Sequence, residues 1–116
     1  MKHHTRRAIA YIAGSLITNS KKNSIFDYSN SSYNNFSNSS SGKNVAVFDY
    51  VQGCHISGNL PTIFHYGDNH HISLNLEGNK FKGFDYGESC HFSGSVNGNQ
   101  IQIFDYGESA YFNYSL

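Results

Sequence analysis

Carboxylates, imidazoles and thiols recur in this chain at one register: Asp49, Cys54, His65, His70, Asp85, Cys90 and Asp105. All three are metal-ligand types, and residues that face each other on adjacent strands can reach a single ion. The pairs expected across the intervening turns are Asp49 with Cys54, His65 with His70, and Asp85 with Cys90. His65, His70, Asp85 and Cys90 form the candidate metal set, with His65–His70 as its most direct pair. Their spacing is that of no standard zinc motif. The competing role is structural, since an Asp at the head of a turn accepts the turn's own backbone N–H groups. Recurrence favours that role, because a catalytic residue is needed once. No G-x-G-x-x-G, P-loop, H-E-x-x-H or nucleophile elbow occurs. The reading is therefore non-enzymatic, with no catalytic residue assigned and no cofactor implied.

A second set of side chains could bind rather than react. Phe48, Phe64, Phe84 and Phe104 fall on the opposite face from the Asp column, with His55, His71, His91 and Tyr111 across from them. Rings that stack, rimmed by Ser and Asn that hydrogen-bond, suit a protein partner, a second copy of the chain, or a sugar ring. A covering element, such as an N-terminal helix, would instead remove this face from solvent. The expected function is a structural or interaction module that self-associates or docks a partner through its aromatic sheet face. Carbohydrate or small-ligand binding and the Asp/His/Cys metal rim are the alternatives.

What must position these residues is a recurring tripeptide. Phe26-Asp27-Tyr28, Phe48-Asp49-Tyr50, Phe64-His65-Tyr66, Phe84-Asp85-Tyr86 and Phe104-Asp105-Tyr106 follow one another at steps of 22, 16, 20 and 20 residues, a period that signals repeated supersecondary units. Between copies, alternating runs meet at Asn97-Gly98 and Glu77-Gly78, read as type I′ hairpin turns, and at Tyr-Gly-Glu-Ser segments, read as Gly-first type II′ turns. Alternation puts Val45, Val47, Ile56, Ile63, Ile72, Leu74, Phe81, Phe92, Ile101 and Ile103 on the face of the Asp column. The short step between Gly58 and Ile63 removes two residues from each arm of one hairpin, which keeps every side chain on its face.

The fold expected is all-β: an antiparallel up-and-down meander of eight to ten short strands, an open curved sheet or a barrel, with an N-terminal amphipathic helix. A two-sided β-solenoid with one coil per repeat is the alternative, but it would stack Asp85 on Asp105 at about 4.8 Å, an unfavourable like-charge ladder. One domain spans 1–116, divided into a helix over 5–19, a degraded Ser/Asn-rich first unit over 20–44, and regular hairpins over 45–116. Ile9, Ile12, Ala13, Leu16 and Ile17 make one helical face, with Thr5 as N-cap and Asn19 as stop. The basic lead Lys2, Arg6 and Arg7 before an apolar run also has the outline of an export signal, and a helix packed on the sheet is preferred.

Composition narrows the partners. Net charge is zero and only 14% of residues are charged, so no basic field is available for nucleic acid. No run approaches a membrane-spanning helix. The two cysteines do not make a disulfide framework, and a cytoplasmic location is expected, with secretion as the alternative. Ser, Asn, Gly and Tyr in short strand-turn-strand units resemble in composition the secreted bacterial functional amyloids such as curli subunits, which implies fibrillar assembly through open sheet edges.

Overall fold

A computed structural model describes residues 1–116. After helix α1 (His3–Thr18) come strands β1 (Ser24–Asp27), β2 (Ser32–Asn38), β3 (Asn44–Asp49), β4 (Cys54–Asn59) and β5 (Thr62–His65). They continue with β6 (His70–Glu77), β7 (Lys80–Asp85), β8 (Cys90–Asn97), β9 (Gln100–Asp105) and β10 (Ala110–Ser115). Each strand pairs antiparallel with the next, and β1 closes on β10 to make a ten-strand up-and-down barrel. The meander is thus a closed barrel, and antiparallel pairing throughout overturns the parallel solenoid. Closure also removes the open edges on which fibrillar stacking depends.

The register follows from side-chain parity. Asp49 faces Cys54, His65 faces His70, and Asp85 faces Cys90. On the other face Phe48 meets His55, Phe64 meets His71, Phe84 meets His91, and Phe104 meets Tyr111. Ile, Val and Leu of the first face are buried to within a few per cent. The shortened hairpin behaves as its even deletion requires: Ile56 and Ile63 both stay inside. The closing seam is a thin join, with Phe26↔Ser115 and Asp27↔Tyr114 as its register pairs, as short a register as that of β4 with β5. By contrast β8 and β9 register over six.

The helix departs most from expectation. It lies inside the barrel, buried from Thr5 to Ser15 on every side, rather than resting one apolar face on a sheet. Ten strands about 4.8 Å apart and tilted about 40° close a ring roughly 20 Å across. That leaves about 10 Å from axis to wall, the distance at which a helix interlocks with its neighbours. The sequence of α1 suits the lumen, because Ala8, Ala10, Ala13 and Gly14 keep it slim while Ile9, Tyr11 and Ile12 fill the space to the wall. Tyr11 stacks on Phe36 at 4.3 Å and 8°. Gly14 allows the closest approach: a Cβ there would lie 2.5 Å from Ile101 Cδ1. The helix begins at His3 with Lys2 as N-cap, and Asn19 ends it in the left-handed region at φ 54°. Thr5 is buried and spends its hydroxyl on Asp68 rather than on a cap.

The turns are shifted by one residue from the expected types. In the two-residue hairpins Gly78 and Gly98 have φ near 60° while the following Asn79 and Asn99 do not. Gly is therefore the first central residue, as a type II′ turn requires. In the loops after the Tyr residues, the positive φ falls at Asn69, Ser89 and Ser109 instead of at Gly67, Gly87 or Gly107. Those three glycines are small for another reason: a Cβ at Gly67 would meet Cys54 Sγ at 2.7 Å, and one at Gly87 would strike the His70 ring.

Candidate functional site

The polar residues of the inner face gather at one mouth of the barrel, around the N-terminus of α1. Asp27, Asp49, Asp85 and Asp105 end their strands with side chains 0% exposed, and one oxygen of each caps the following turn. Asp49 Oδ1 accepts from the N–H of Val51 at 3.0 Å, and the Oδ1 atoms of Asp85 and Asp105 accept from Gly87 and Gly107 at 2.9 Å. Asp27 does the same for Ser29. The second oxygens point inward. Asp105 Oδ2 accepts from Arg6 Nη1 at 3.0 Å and from the Met1 ammonium at 3.0 Å. Burial pushes the Asp105 carboxyl up, but these donors outweigh it and hold the group below its usual range.

Carboxylates cannot be buried in a ring without countercharge, and the basic residues of the first helical turns supply it. Arg6 and Arg7 are both buried. The Arg6 guanidinium also lies 3.5 Å over the Phe112 ring, a cation–π contact. His3 Nε2 sits 2.9 Å from Asp27 Oδ2, and burial lowers the His3 pKa. Several inward atoms have no hydrogen-bond partner, among them Asp49 Oδ2, Asp85 Oδ2, Arg7 Nε, His65 Nε2 and His70 Nε2.

One sector of this mouth differs from the rest. In the β5–β6 hairpin His65 takes the place of the Asp, and its Nδ1 accepts the N–H of Asp68 at 3.0 Å. Asp68, in the loop, turns its carboxylate toward the helix. His4 Nε2 lies 3.0 and 2.8 Å from its two oxygens, Thr5 Oγ1 donates at 3.0 Å, and Lys2 Nζ approaches to 3.5 Å. Burial raises the Asp68 pKa, but the hydrogen bonds from His4 and Thr5 outweigh it and bring the carboxyl down to about 2. His65 is fully buried and its pKa is lowered by that burial.

Of the metal-type residues singled out by spacing, His65 and His70 come together, with ring centroids 6.0 Å apart. Asp85 stands behind His70, 3.4 Å from its Nδ1. Cys90 lies elsewhere on the rim, near the Met1 amino group, and burial pushes its thiol up. The Cys54 thiol is raised by the same cause. His4 and Asp68 were missed as partners. The signal for them was available, since an inward column of Asp needs cations, and Lys2, His3, His4, Arg6 and Arg7 are densely grouped at the head of the chain.

The aromatic residues form ladders on the outside wall. Phe48 packs edge-on to His55 at 4.8 Å and to Tyr50 at 5.1 Å. Phe64 does so with His71 and Tyr66, and Phe84 with His91 and Tyr86. Phe104 pairs with Tyr111 and Tyr106 at 4.7 Å each. The phenylalanines are half-buried beneath their neighbours, and the tyrosines carry the exposure: Tyr86 is 58%, Tyr106 55% and Tyr111 63% exposed. The helix does not cover this face, because it occupies the lumen. A surface cleft of about 850 Å³ runs between two ladders, lined by Phe84, Tyr86, His91 and Tyr106 with Ser73 and Asn75.

Fold and site together define a closed antiparallel barrel that encloses its own N-terminal helix. No helix is long and apolar enough to cross a membrane. Compared with known proteins, the chain matches no family model, no curated protein and no solved structure.

Proposed function

We propose that the chain is a non-enzymatic interaction module whose outer aromatic ladders dock a second copy of itself. The observation that carries this reading is the exposure of the ladder tyrosines on a wall that no element of the chain covers. Tyr and Phe held edge-to-face by their neighbours lose little rotamer freedom on contact, so each contributes apolar area at low entropic cost. One oxygen of each inward Asp is spent on capping a turn, and burial pushes the pKa of both thiols up. Light scattering across micromolar concentrations tests the reading. A dimer or larger species is expected, and Tyr86→Ser with Tyr106→Ser reduces it to the monomer. A wild-type chain that stays monodisperse as a monomer would overturn it.

The cleft beside Phe84 favours a second reading, in which a sugar ring stacks between Tyr86 and Tyr106 and hydrogen-bonds Ser73 and Asn75. Retention on a glycan array, lost in the same double variant, is its expected signature, and an empty array removes it.

A further inference from the structure

We propose that the odd sector of the barrel mouth is a binding site for a divalent transition metal of the zinc class, with His4, His65 and Asp68 as ligands and His70 as the fourth. The argument begins with what the other hairpins do. Asp27, Asp49, Asp85 and Asp105 all cap their turns with a carboxylate, so turn formation asks only for Asp at that place. The β5–β6 hairpin alone substitutes an imidazole there. It also places Asp68 where two later loops have Glu88 and Glu108, and His70 where other hairpins start with Cys54, Cys90 or Ala110. These three departures converge on one point, and the helix delivers a further imidazole, His4, to the same point. Ligand atoms of His4, His65 and Asp68 all lie within 4.8 Å of one another.

Hydrogen bonding fixes which nitrogens hold lone pairs. The Asp68 N–H donates to His65 Nδ1, so that nitrogen holds a lone pair, 3.9 Å from Asp68 Oδ2. His70 Nδ1 lies 3.3 Å from the carbonyl oxygen of His71. A carbonyl can only accept, so Nδ1 carries the proton and Nε2 holds the lone pair. That Nε2 is buried without a hydrogen-bond partner and lies 3.6 Å from Asp68 Oδ2. Asp85 Oδ1, 3.4 Å from His70 Nδ1, adds the carboxylate that stands behind the imidazole in many metal centres. Gly87 leaves the space the His70 ring occupies.

An ion at this point takes the place of the His4 proton between Nε2 and the Asp68 carboxylate, and competes with the Asp68 N–H for His65 Nδ1. A neutral His4 stays neutral because its proton passes, through water, to Nδ1; an imidazolium already holds a proton on Nδ1 and releases the Nε2 proton to water. Imidazoles with one carboxylate, and no thiolate, suit Zn²⁺ and its neighbours rather than Ca²⁺ or Mg²⁺.

The test uses the full chain, stripped with chelator and titrated with Co²⁺, then with Zn²⁺. One equivalent of Co²⁺ should bind with visible d–d bands of a four-coordinate site, and Zn²⁺ should abolish them and raise the Tm. His65→Asp, the residue used by the other hairpins, and His70→Ala, the residue at position 110, should each weaken binding by about tenfold or more, since even outer-shell partners contribute that much. Replacing the exposed His55, His71 and His91 by Ala should leave the titration unchanged. Far-UV circular dichroism checks that each variant is folded, and either inner variant decides the matter alone. Failure to bind one equivalent, wild-type affinity in a folded His65→Asp or His70→Ala chain, or loss of binding in the triple surface variant would overturn the proposal.

Discussion

Gly14→Ala separates a helix threaded through a barrel from a helix laid on a surface, because the sign of the effect differs. On an exposed helix the change stabilises by about 1 kcal/mol, the propensity difference between Ala and Gly. Here the new Cβ would lie 2.5 Å from Ile101 Cδ1, 3.0 Å from Ile101 Cγ1 and 3.3 Å from Leu116 Cδ1. Forcing one methyl into such a packed site costs about 1–3 kcal/mol, so the net effect is destabilisation of up to about 2 kcal/mol. Ile101→Val removes the Cδ1 atom and alone costs about 0.5–1.5 kcal/mol. In the double variant the nearest collision is gone, so the two changes should offset by about 1 kcal/mol or more in a double-mutant cycle. Urea unfolding followed by circular dichroism reads all four corners, with unchanged m-values expected. A stabilised Gly14→Ala chain, with coupling to Ile101 near zero, would refute the placement of α1 in the lumen.

Three further outcomes follow from the barrel mouth and the inner face. Arg6→Ala strips Asp105 of a buried partner and should cost about 3–5 kcal/mol in urea unfolding, with part recovered when Asp105→Asn is added. Because the folded-state pKa of Asp105 lies below the ordinary carboxyl value of 3.8, its contribution is complete above that value and is lost as pH falls through the depressed one; acid titrations of stability should flatten in Asp105→Asn. The Cys54 and Cys90 thiols, both buried with raised pKa, should resist alkylation in the native chain, and both should react in urea. Rapid native labelling of either would contradict their burial.

Strand parity was legible from sequence because period two is rigid. Once Phe104 and Asp105 were placed on opposite faces, the facing pairs from Asp49–Cys54 to Phe104–Tyr111 followed. The turn types were missed by one residue, since Asn-Gly fixes that a reversal occurs but not which residue is central, and Glu77-Gly78-Asn79 fits either register. The helix was read from the stripe Ile9, Ile12, Ala13, Leu16 and Ile17, which hid the significance of the other side. Ala8, Ala10 and Gly14 are not a polar back but a narrow one, and slimness matters only once a wall surrounds the helix. Arg6 and Arg7 read as a basic lead with the outline of an export signal, because local pattern does not report that four strand-end carboxylates converge from 27 to 105. The pairing of His4 with Asp68 was legible only in part: the cations grouped at the head of the chain point to inward carboxylates, but which carboxylate each one meets depends on the depth to which the helix is threaded.

The thin β1–β10 seam bears on the order in which the chain assembles. Every other join in the wall links neighbours in sequence, so those hairpins close short loops at small entropic cost. The seam joins residues 26–27 to residues 114–115, and it can form only when the rest of the wall is in place. The finished wall has no lateral gap through which sixteen helical residues could pass. Loop-closure entropy therefore favours a wall that wraps the helix before the seam shuts.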